Sequence, residues 1–499
     1  MTTPQIAVTW PRSPAVPSFV RMSRRVLEHD ALSIAVVAAW TSLLALSMPK
    51  LIVQDTWLAF VDGRLIAHRG LPHVDTLTFW SLGSPWTDQQ WGAHLFLYEV
   101  AQAGGVRSAV LVGLLCVVSA LVIAAVVTRK LGASPRSAAI GLVLPLSGAP
   151  WLTQVRTQSL ALVPFVVVYA LLALDARNPG RRVLLVLPLL VVWANLHGSV
   201  ALAAGLVALY GITLLRYAHT RRRALLLIVG APLCLLASPY GLDLIDYYRL
   251  MLLHPPLADF VQEWRPPTVE GLTAVFFFSA FATTALWSRH QRVLTSFERW
   301  ALPLLLVGAL SVVRNAVWFE LGAAVSFPRL LDAAWPSSVA PLAVRRINLV
   351  VGSLATIAAV VMVASHFARP SAWFVHDWSP TEAAAVAAAA GPHGVVLADD
   401  EHADWLLWQQ PFLAGRVAYD VRFELFARRE LVQISRLQQG SPTAWRRCGA
   451  GVTVVTFAGD AVLHRFAEAG VLTPGRRTIV EGKQFAAIAQ PTPAKPCRL

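Results

Sequence analysis

Charge is what this sequence has least of. Only 14% of its 499 residues are Asp, Glu, Lys or Arg, against 56% hydrophobic side chains and a mean hydropathy of +0.57. A chain of this length that folded in water would need far more polar surface, so a soluble globular protein is excluded and lipid is the expected solvent. Lysine is nearly missing: Lys50, Lys130, Lys483 and Lys495 are four of the 42 basic residues. The net charge of +14 therefore rests on arginine, and the arginines sit in short clusters between apolar runs, where they orient helices instead of marking a nucleic-acid surface. Cysteine is scarce too. Cys116 and Cys234 fall in apolar runs as small core residues, while Cys448 and Cys497 fall in the tail, where a disulfide and two unrelated thiols are both compatible with the sequence. A small-residue cleavage site is lacking after the first apolar run, so the N-terminus is expected to stay attached.

What is present is a series of apolar runs. They cover 31–53, 106–128, 137–152, 159–174, 183–194, 200–215, 224–238, 271–287, 301–313, 316–331 and 347–366. Arginine clusters follow every second run, at Arg129 to Arg136, Arg177 to Arg182, Arg216 to Arg223, Arg289 to Arg299 and Arg345 to Arg346. The positive-inside bias then predicts eleven spans, a cytoplasmic N-terminus and an outer C-terminus. Pro328, Asp332 and Pro336 interrupt the tenth run, where a re-entrant or interfacial segment is the alternative. The fold class is mainly α, a polytopic transmembrane helical bundle of about eleven spans with a small extracytoplasmic α/β domain. Its parts are a cytoplasmic segment over 1–30, a membrane domain over 31–368 with a first outer loop over 54–105, and the outer domain over 369–499. The expected location is a bacterial inner membrane.

Two outer regions are large enough for chemistry. In the first loop, Trp57, Phe60 and Val61, and then Trp91, Leu95 and Tyr98, recur at helical spacing, which predicts two helices lying in the headgroup layer with aromatics toward lipid. Gly70 to Asp75 between them reads as a turn. In the tail, Ser379-Pro380-Thr381-Glu382 has the form of a capping box opening an alanine-rich helix. Strands are predicted near 395–397, 416–419, 452–457 and 478–489, with helices near 402–409 and 424–438. The tail contains no Gly-rich phosphate loop, no CxxC pair and no HExxH, so no motif names its reaction.

Asp55 stands just after the first span. A carboxylate at a helix C-terminus opposes the helix dipole, so position alone does not stabilise it, and a functional role and a plain solvated loop acid are both compatible with the sequence. In this layout the chain resembles the GT-C class of membrane glycosyltransferases, which includes protein O-mannosyltransferases, the lipid A aminoarabinose transferase and the oligosaccharyltransferase catalytic subunit. At residue level the chain resembles a set of bacterial membrane proteins related to that class, through Asp55-Thr56-Trp57, Gly63 through Gly70-Leu71-Pro72 to Asp75, Trp86 to Trp91, Asn195-Leu196-His197-Gly198, Glu263-Trp264, Arg314-Asn315 and Ala418-Tyr419-Asp420 with Arg422. The resemblance implies sugar transfer from a polyprenyl-phosphate donor to a hydroxyl on a glycan, lipid or protein at the outer face, with inversion. Asp55 is then the candidate base and Asp75 the second, with turn capping as the other reading of Asp75. Arg156, Arg314 and His197 are candidates for the donor phosphate, because neither arginine belongs to a cytoplasmic cluster. Lipid anchoring and a structural turn histidine are the alternatives. Glu263, Trp264 and Arg265, with Trp86 and Trp91, suit a sugar through ring stacking and polar bonds, while an interfacial tryptophan flanked by an ion pair is the other reading of Glu263 to Arg265. Some members of the class bind a divalent cation, and Asp55, Asp75 and Asp88 offer oxygens, but their spacing carries no metal signature. No metal ligand and no further cofactor is assigned, and a divalent metal stays open.

Two other classes compete. A transporter or flippase of lipid-linked glycans would place ionisable groups within the membrane, whereas the spans here read as nearly free of charge. A catalytically silent relative acting as an envelope-binding protein would keep the scaffold and lose the chemistry.

Overall fold

The computed structural model describes residues 18–444, apart from 254–256, 272 and 337–341, together with the strand segments 454–457, 477–478 and 486–489. Cys448 and Cys497 lie outside these residues. Helices occupy every apolar run of the sequence. In the N-terminal half they are α1 (Ser18–Leu46), α2 (Gln54–Arg69), α3 (Trp91–Gly104), α4 (Val106–Lys130), α5 (Pro135–Gly141), α6 (Ala149–Leu152), α7 (Thr157–Arg177), α8 (Val186–Ala194), α9 (Val200–Leu214) and α10 (Arg221–Cys234). There follow α11 (Asp243–Leu253), α12 (Thr273–His290), α13 (Ser296–Ser311), α14 (Ala316–Ala334) and α15 (Leu342–Phe367). Among the described residues, four helical segments, Glu28–Leu46, Val106–Lys130, Thr157–Arg177 and Val344–Phe367, are by themselves long and apolar enough to cross a membrane. Helix α15 packs along α1 and leaves Val350, Leu354, Ile357 and Val361 exposed, an outward apolar ridge that suits lipid.

Three sequence expectations change here. The run over 137–152 is not one helix: Pro145 and Pro150 divide it into α5, a 3₁₀ turn over Leu144–Gly148 and the single turn α6. Conversely, α14 continues through Pro328, which was expected to interrupt it. Gly141 of α5 packs directly on this turn, since a Cβ there would stand 2.6 Å from Pro328 Cγ and 3.0 Å from the Ala324 carbonyl. Asp332, the other expected interruption, accepts from the Ser134 amide and the Ser134 and Ser137 hydroxyls and so anchors Ser134, whose hydroxyl caps α5 by accepting from Ser137 N. Nor is the bundle free of charge. Glu320 is buried and accepts from Ser147 Oγ and Ser279 Oγ, and Glu298 is buried against Arg329.

The tail contributes α16 (Ser371–Phe374), α17 (Pro380–Ala390), β1 (Val396–Leu397), α18 (Asp400–Gln409), α19 (Arg428–Gln438), β2 (Val454–Phe457), β3 (Arg477–Thr478) and β4 (Ala486–Ala489). The strands form a mixed sheet in the order β1-β2-β4-β3, parallel only between β1 and β2. Helix α17 starts where expected, but Ser379 forms no side-chain cap and instead bonds Thr381 Oγ1 at 2.7 Å. The predicted strand near 416–419 is reduced to bridges. One joins Val417 to Val396, and another joins it to Thr78 of the first loop. Backbone bonds Phe79 N to Val417 O, Trp80 N to Ala418 O and Gly415 N to Leu77 O continue this ladder, so loop and tail share extended structure.

This pairing explains the fate of the loop aromatics. They face protein, not lipid as expected. Trp57 (1% exposed) packs edge-on against Trp378 and Phe60, and Phe60 and Tyr98 pack against Trp408 of α18. Arg64 donates to the carbonyls of Leu407 and Trp408 and lies 5.0 Å over the Trp408 ring. Amphipathic spacing reports that one helix face is buried, and the tail supplies the cover that lipid was expected to provide.

Candidate active site

A cavity of about 1000 Å³ lies where α2, the loops before α7, α9 and α14, helix α11 and the tail meet. Its volume matches that of ligand sites for drug-sized molecules or larger. Asp55, Arg156, His197, Glu263, Trp264 and Arg314 all line it.

The polypeptide brings Asp55 and Arg156 together by stitching their neighbours. Val155 N donates to Leu51 O, and the buried Thr56 hydroxyl donates to Val155 O while accepting from Val53 N. Asp55 therefore sits in the first turn of α2, not at the end of α1 as its place after the first span suggested. There the helix dipole favours its carboxylate, so position alone stabilises it. The dipole argument belongs instead to Arg156, which precedes the first turn of α7 in extended backbone (φ −153°, ψ 172°) as a buried cation at a helix N-terminus.

Two carboxylates hold that cation. Arg156 Nη1 donates to Asp55 Oδ2 and Glu263 Oε1, each at 3.1 Å. Its Nε and Nη2 are buried and find no protein partner. Burial disfavours the guanidinium charge, but Glu263 and Asp55 overcome this and hold its pKa above the usual value. Burial likewise works against the Glu263 carboxylate, and Arg156 followed by Arg314 reverses it, leaving Glu263 below the carboxylate norm. Arg314 lies 4.8 Å over the Trp264 ring, and the bond from Val313 N to Arg265 O ties the two segments together. Among the described residues, no carboxylate lies within ion-pair distance of Arg314.

His197 sits between α8 and α9 on a turn fixed from the first loop. Gly92 N donates to Asn195 O, Trp91 Nε1 to Asn195 Oδ1 at 2.7 Å, and Gln89 Nε2 to Ala194 O at 2.8 Å. A side chain at position 92 would stand 2.7 Å from that Asn195 oxygen, so the approach requires glycine. His197 Nδ1 accepts from Ser199 N at 3.1 Å, which places the ring proton on Nε2. Burial, then the charges of Arg314 and Arg156, push its pKa well below the ordinary value, so the ring is a neutral donor.

The remaining candidates lie elsewhere. Asp75 is fully buried and does not line the large cavity: its oxygens accept from Leu77 N, Thr78 N, Thr78 Oγ1, Ser81 Oγ and Arg422 Nη2. Burial opposes its charge and Arg422 with these donors outweighs it, so its pKa lies below the usual range. This saturated carboxylate matches the turn-capping reading and has no face open to an acceptor. Trp86 is buried beneath Arg422, with the guanidinium 4.4 Å from its ring. Trp91 is committed to Asn195, and Arg265 bonds the Asp259 carbonyl outside the cavity.

Other residues of the lining had no role in the sequence reading. They are Asp399 and Asp400 at the start of α18, Glu424, Gln438 and the α11 residues Tyr247 and Tyr248. Burial pushes the Glu424 carboxyl up to about 7 and, with the charge of Asp399, that of Asp400 to about 6. The available signal was the pairing of acids with the start of a tail helix, which becomes meaningful only when the tail is known to close over the loop.

No family model and no curated protein sequence matches the chain. Among solved structures, ArnT from Cupriavidus metallidurans in the apo state superposes with a TM-score of 0.50 at 12% identity, over 94% of this chain and 98% of that one. The chain has a GT-C-like fold. Two further GT-C structures align less well. ArnT bound to undecaprenyl phosphate gives 0.48 at 13% identity over 91% and 97% of the two chains. An Archaeoglobus fulgidus oligosaccharyltransferase tethered to an acceptor peptide gives 0.46 at 12% identity over 87% and 71%. At such identities the GT-C likeness concerns the backbone, and function has to be argued from the cavity.

Proposed function

We propose that this chain is an integral-membrane glycosyltransferase that moves a sugar from a polyprenyl-phosphate donor to a hydroxyl acceptor, with inversion. The observation that supports it most is Arg156, a buried cation on an open cavity with two donors left unbonded. An unpaired buried donor costs about 1–3 kcal/mol, and a guanidinium charge beside this cavity favours an anionic ligand such as phosphate. Arg314 and the Nε2–H of His197 supply further donors on the same cavity.

Asp55 accepts the proton from the acceptor hydroxyl. The acceptor oxygen bonds to the anomeric carbon as the bond from that carbon to the phosphate oxygen breaks, and the electron pair leaves on the polyprenyl phosphate. Arg156, held by Asp55 and Glu263 through Nη1, stabilises the developing phosphate charge. Leu252, Leu257, Phe260 and Val261 on the cavity wall suit the prenyl chain. Trp264, with Arg314 over its ring, lines the same cavity and offers an aromatic edge to a sugar. A transport role would need a path through the bundle, yet the buried Glu320 is not among the cavity-lining residues.

The reading includes eleven spans with the tail on the outer side of a bacterial inner membrane. A cysteine placed at Gly440 should then react with an impermeant reagent in intact cells, and reaction only after permeabilisation would reverse the topology. Function is tested by envelope glycan and lipid profiles. The same saccharide should vanish from a strain lacking the gene and from one carrying Asp55→Asn at normal protein level. Unchanged profiles in both would favour the silent-relative alternative.

A further inference from the structure

A second constellation lies apart from Arg156. Asp62 of α2, Asp88 of the first loop and His94 of α3 bring one ligating atom each within 4.8 Å of one another. All three are buried, at 0%, 3% and 4% exposure. Asp62 is the unusual member, because neither of its oxygens has a hydrogen-bond partner. A buried carboxylate without partners is costly, and in a folded protein it is neutralised or bound to a cation. A small cavity of about 30 Å³, enough for a water or a single ion, opens on Asp62, Asp88 and His94 together.

The distances fit an ion. His94 Nδ1 lies 2.9 Å from Asp88 Oδ2 and 3.7 Å from Asp62 Oδ2. The edge of a tetrahedron with zinc-like bonds of about 2.0–2.1 Å is about 3.3 Å, midway between these values. The charges fit as well. Arg422 lines the same small cavity and leaves its Nη1 unbonded, but the buried acids around it, Asp62, Asp75, Asp88, Asp404 and Asp420, outnumber Arg422 and His94 together. The backbone is shaped for the approach: a Cβ at Gly63, next to Asp62, would stand 2.2 Å from the His94 carbonyl, so only glycine lets α3 come this close to α2.

We propose that Asp62, Asp88 and His94 form a binding site for one divalent cation, with zinc preferred because the set is one imidazole and two carboxylates. The ion joins α2 to α3 and thereby holds the helix that carries Asp55. Its existence does not depend on the glycosyltransferase reading.

The full chain, purified in detergent without chelator and incubated with zinc chloride or manganese chloride, is assayed for bound metal by mass spectrometry. About one zinc per chain is expected, with an unfolding midpoint that rises on zinc addition. Asp62→Asn and His94→Ala should each lower bound zinc at least tenfold and abolish the shift, whereas Asp404→Asn retains both. Wild-type chain holding less than one-tenth equivalent of either metal overturns the site, because the cluster is then an imidazolium between two carboxylates. Zinc content unchanged in both ligand variants overturns it equally. The wild-type stoichiometry decides the matter even where a variant fails to fold.

Discussion

Arg156 and Arg422 are both buried arginines, each gripped by two carboxylates, and they differ in what surrounds those carboxylates. Asp75 and Asp420 on Arg422 are fully buried, whereas Asp55 and Glu263 on Arg156 keep 32% and 31% of their side chains exposed. Arg422 Nε and Nη2 are bound to Asp420, Nη2 also to Asp75, and its plane rests on Trp86. The same ionic chemistry is a clasp when its acids are sealed and a receptor when they open on a cavity. Burial of the partners, more than burial of the arginine, separates the two.

The largest expected effect is on the clasp. Arg422→Ala strands Asp75 and Asp420 as uncompensated buried charges and should destabilise the fold by about 3–5 kcal/mol, read as a fall in unfolding midpoint in detergent. Arg422→Lys should recover little, since one ammonium cannot reproduce the forked contact. Arg156→Ala should behave in the opposite way, lowering sugar transfer about 10²–10³-fold while the midpoint moves far less. If both variants unfold alike, the contrast between clasp and receptor collapses. Gly63→Ala comes next, because its methyl group would meet the His94 carbonyl at 2.2 Å and Tyr98 Cβ at 2.4 Å. Separating α2 from α3 should cost about 1–3 kcal/mol and lower activity indirectly.

The smallest effect is on pH dependence. Glu424, ordinarily near 4.5, is pushed up to about 7 by burial, although its own amide and Arg422 pull it down. Between these values the folded chain keeps a proton that the unfolded chain has released, so stability falls as pH rises from about 4.5 to about 7 and then levels. Asp400 adds a slope of the same sign between 3.8 and about 6. Glu424→Gln should flatten the upper part of a curve of unfolding midpoint against pH, and an unchanged curve would place the titration elsewhere.

How much of this was legible in the sequence follows from the range of each signal. Apolar runs and arginine clusters located the helices because membrane burial imposes long local patterns, and the break at Pro145 and Pro150 was missed because composition there stays apolar. Asp55, Arg156, His197 and Arg314 could be nominated from their places between runs, and they do share a cavity. Asp75 and Arg422 illustrate the limit. Turn chemistry around Thr78 was readable locally, but the salt bridge spans 347 residues of chain and leaves no local pattern. The loop aromatics failed for a related reason: periodicity identifies a buried face and is silent about what covers it.

The ladder between Leu77–Trp80 and Gly415–Ala418 also sets an order of events during synthesis. The first loop emerges from the ribosome hundreds of residues ahead of the segment it pairs with, so Trp57, Phe60 and the edge at Thr78 wait uncovered while the rest of the bundle is made. Closing so distant a contact is slow. A chain interrupted before the tail therefore carries every basic residue of the phosphate site but half a chamber, and maturation of the cavity is tied to completion of the polypeptide.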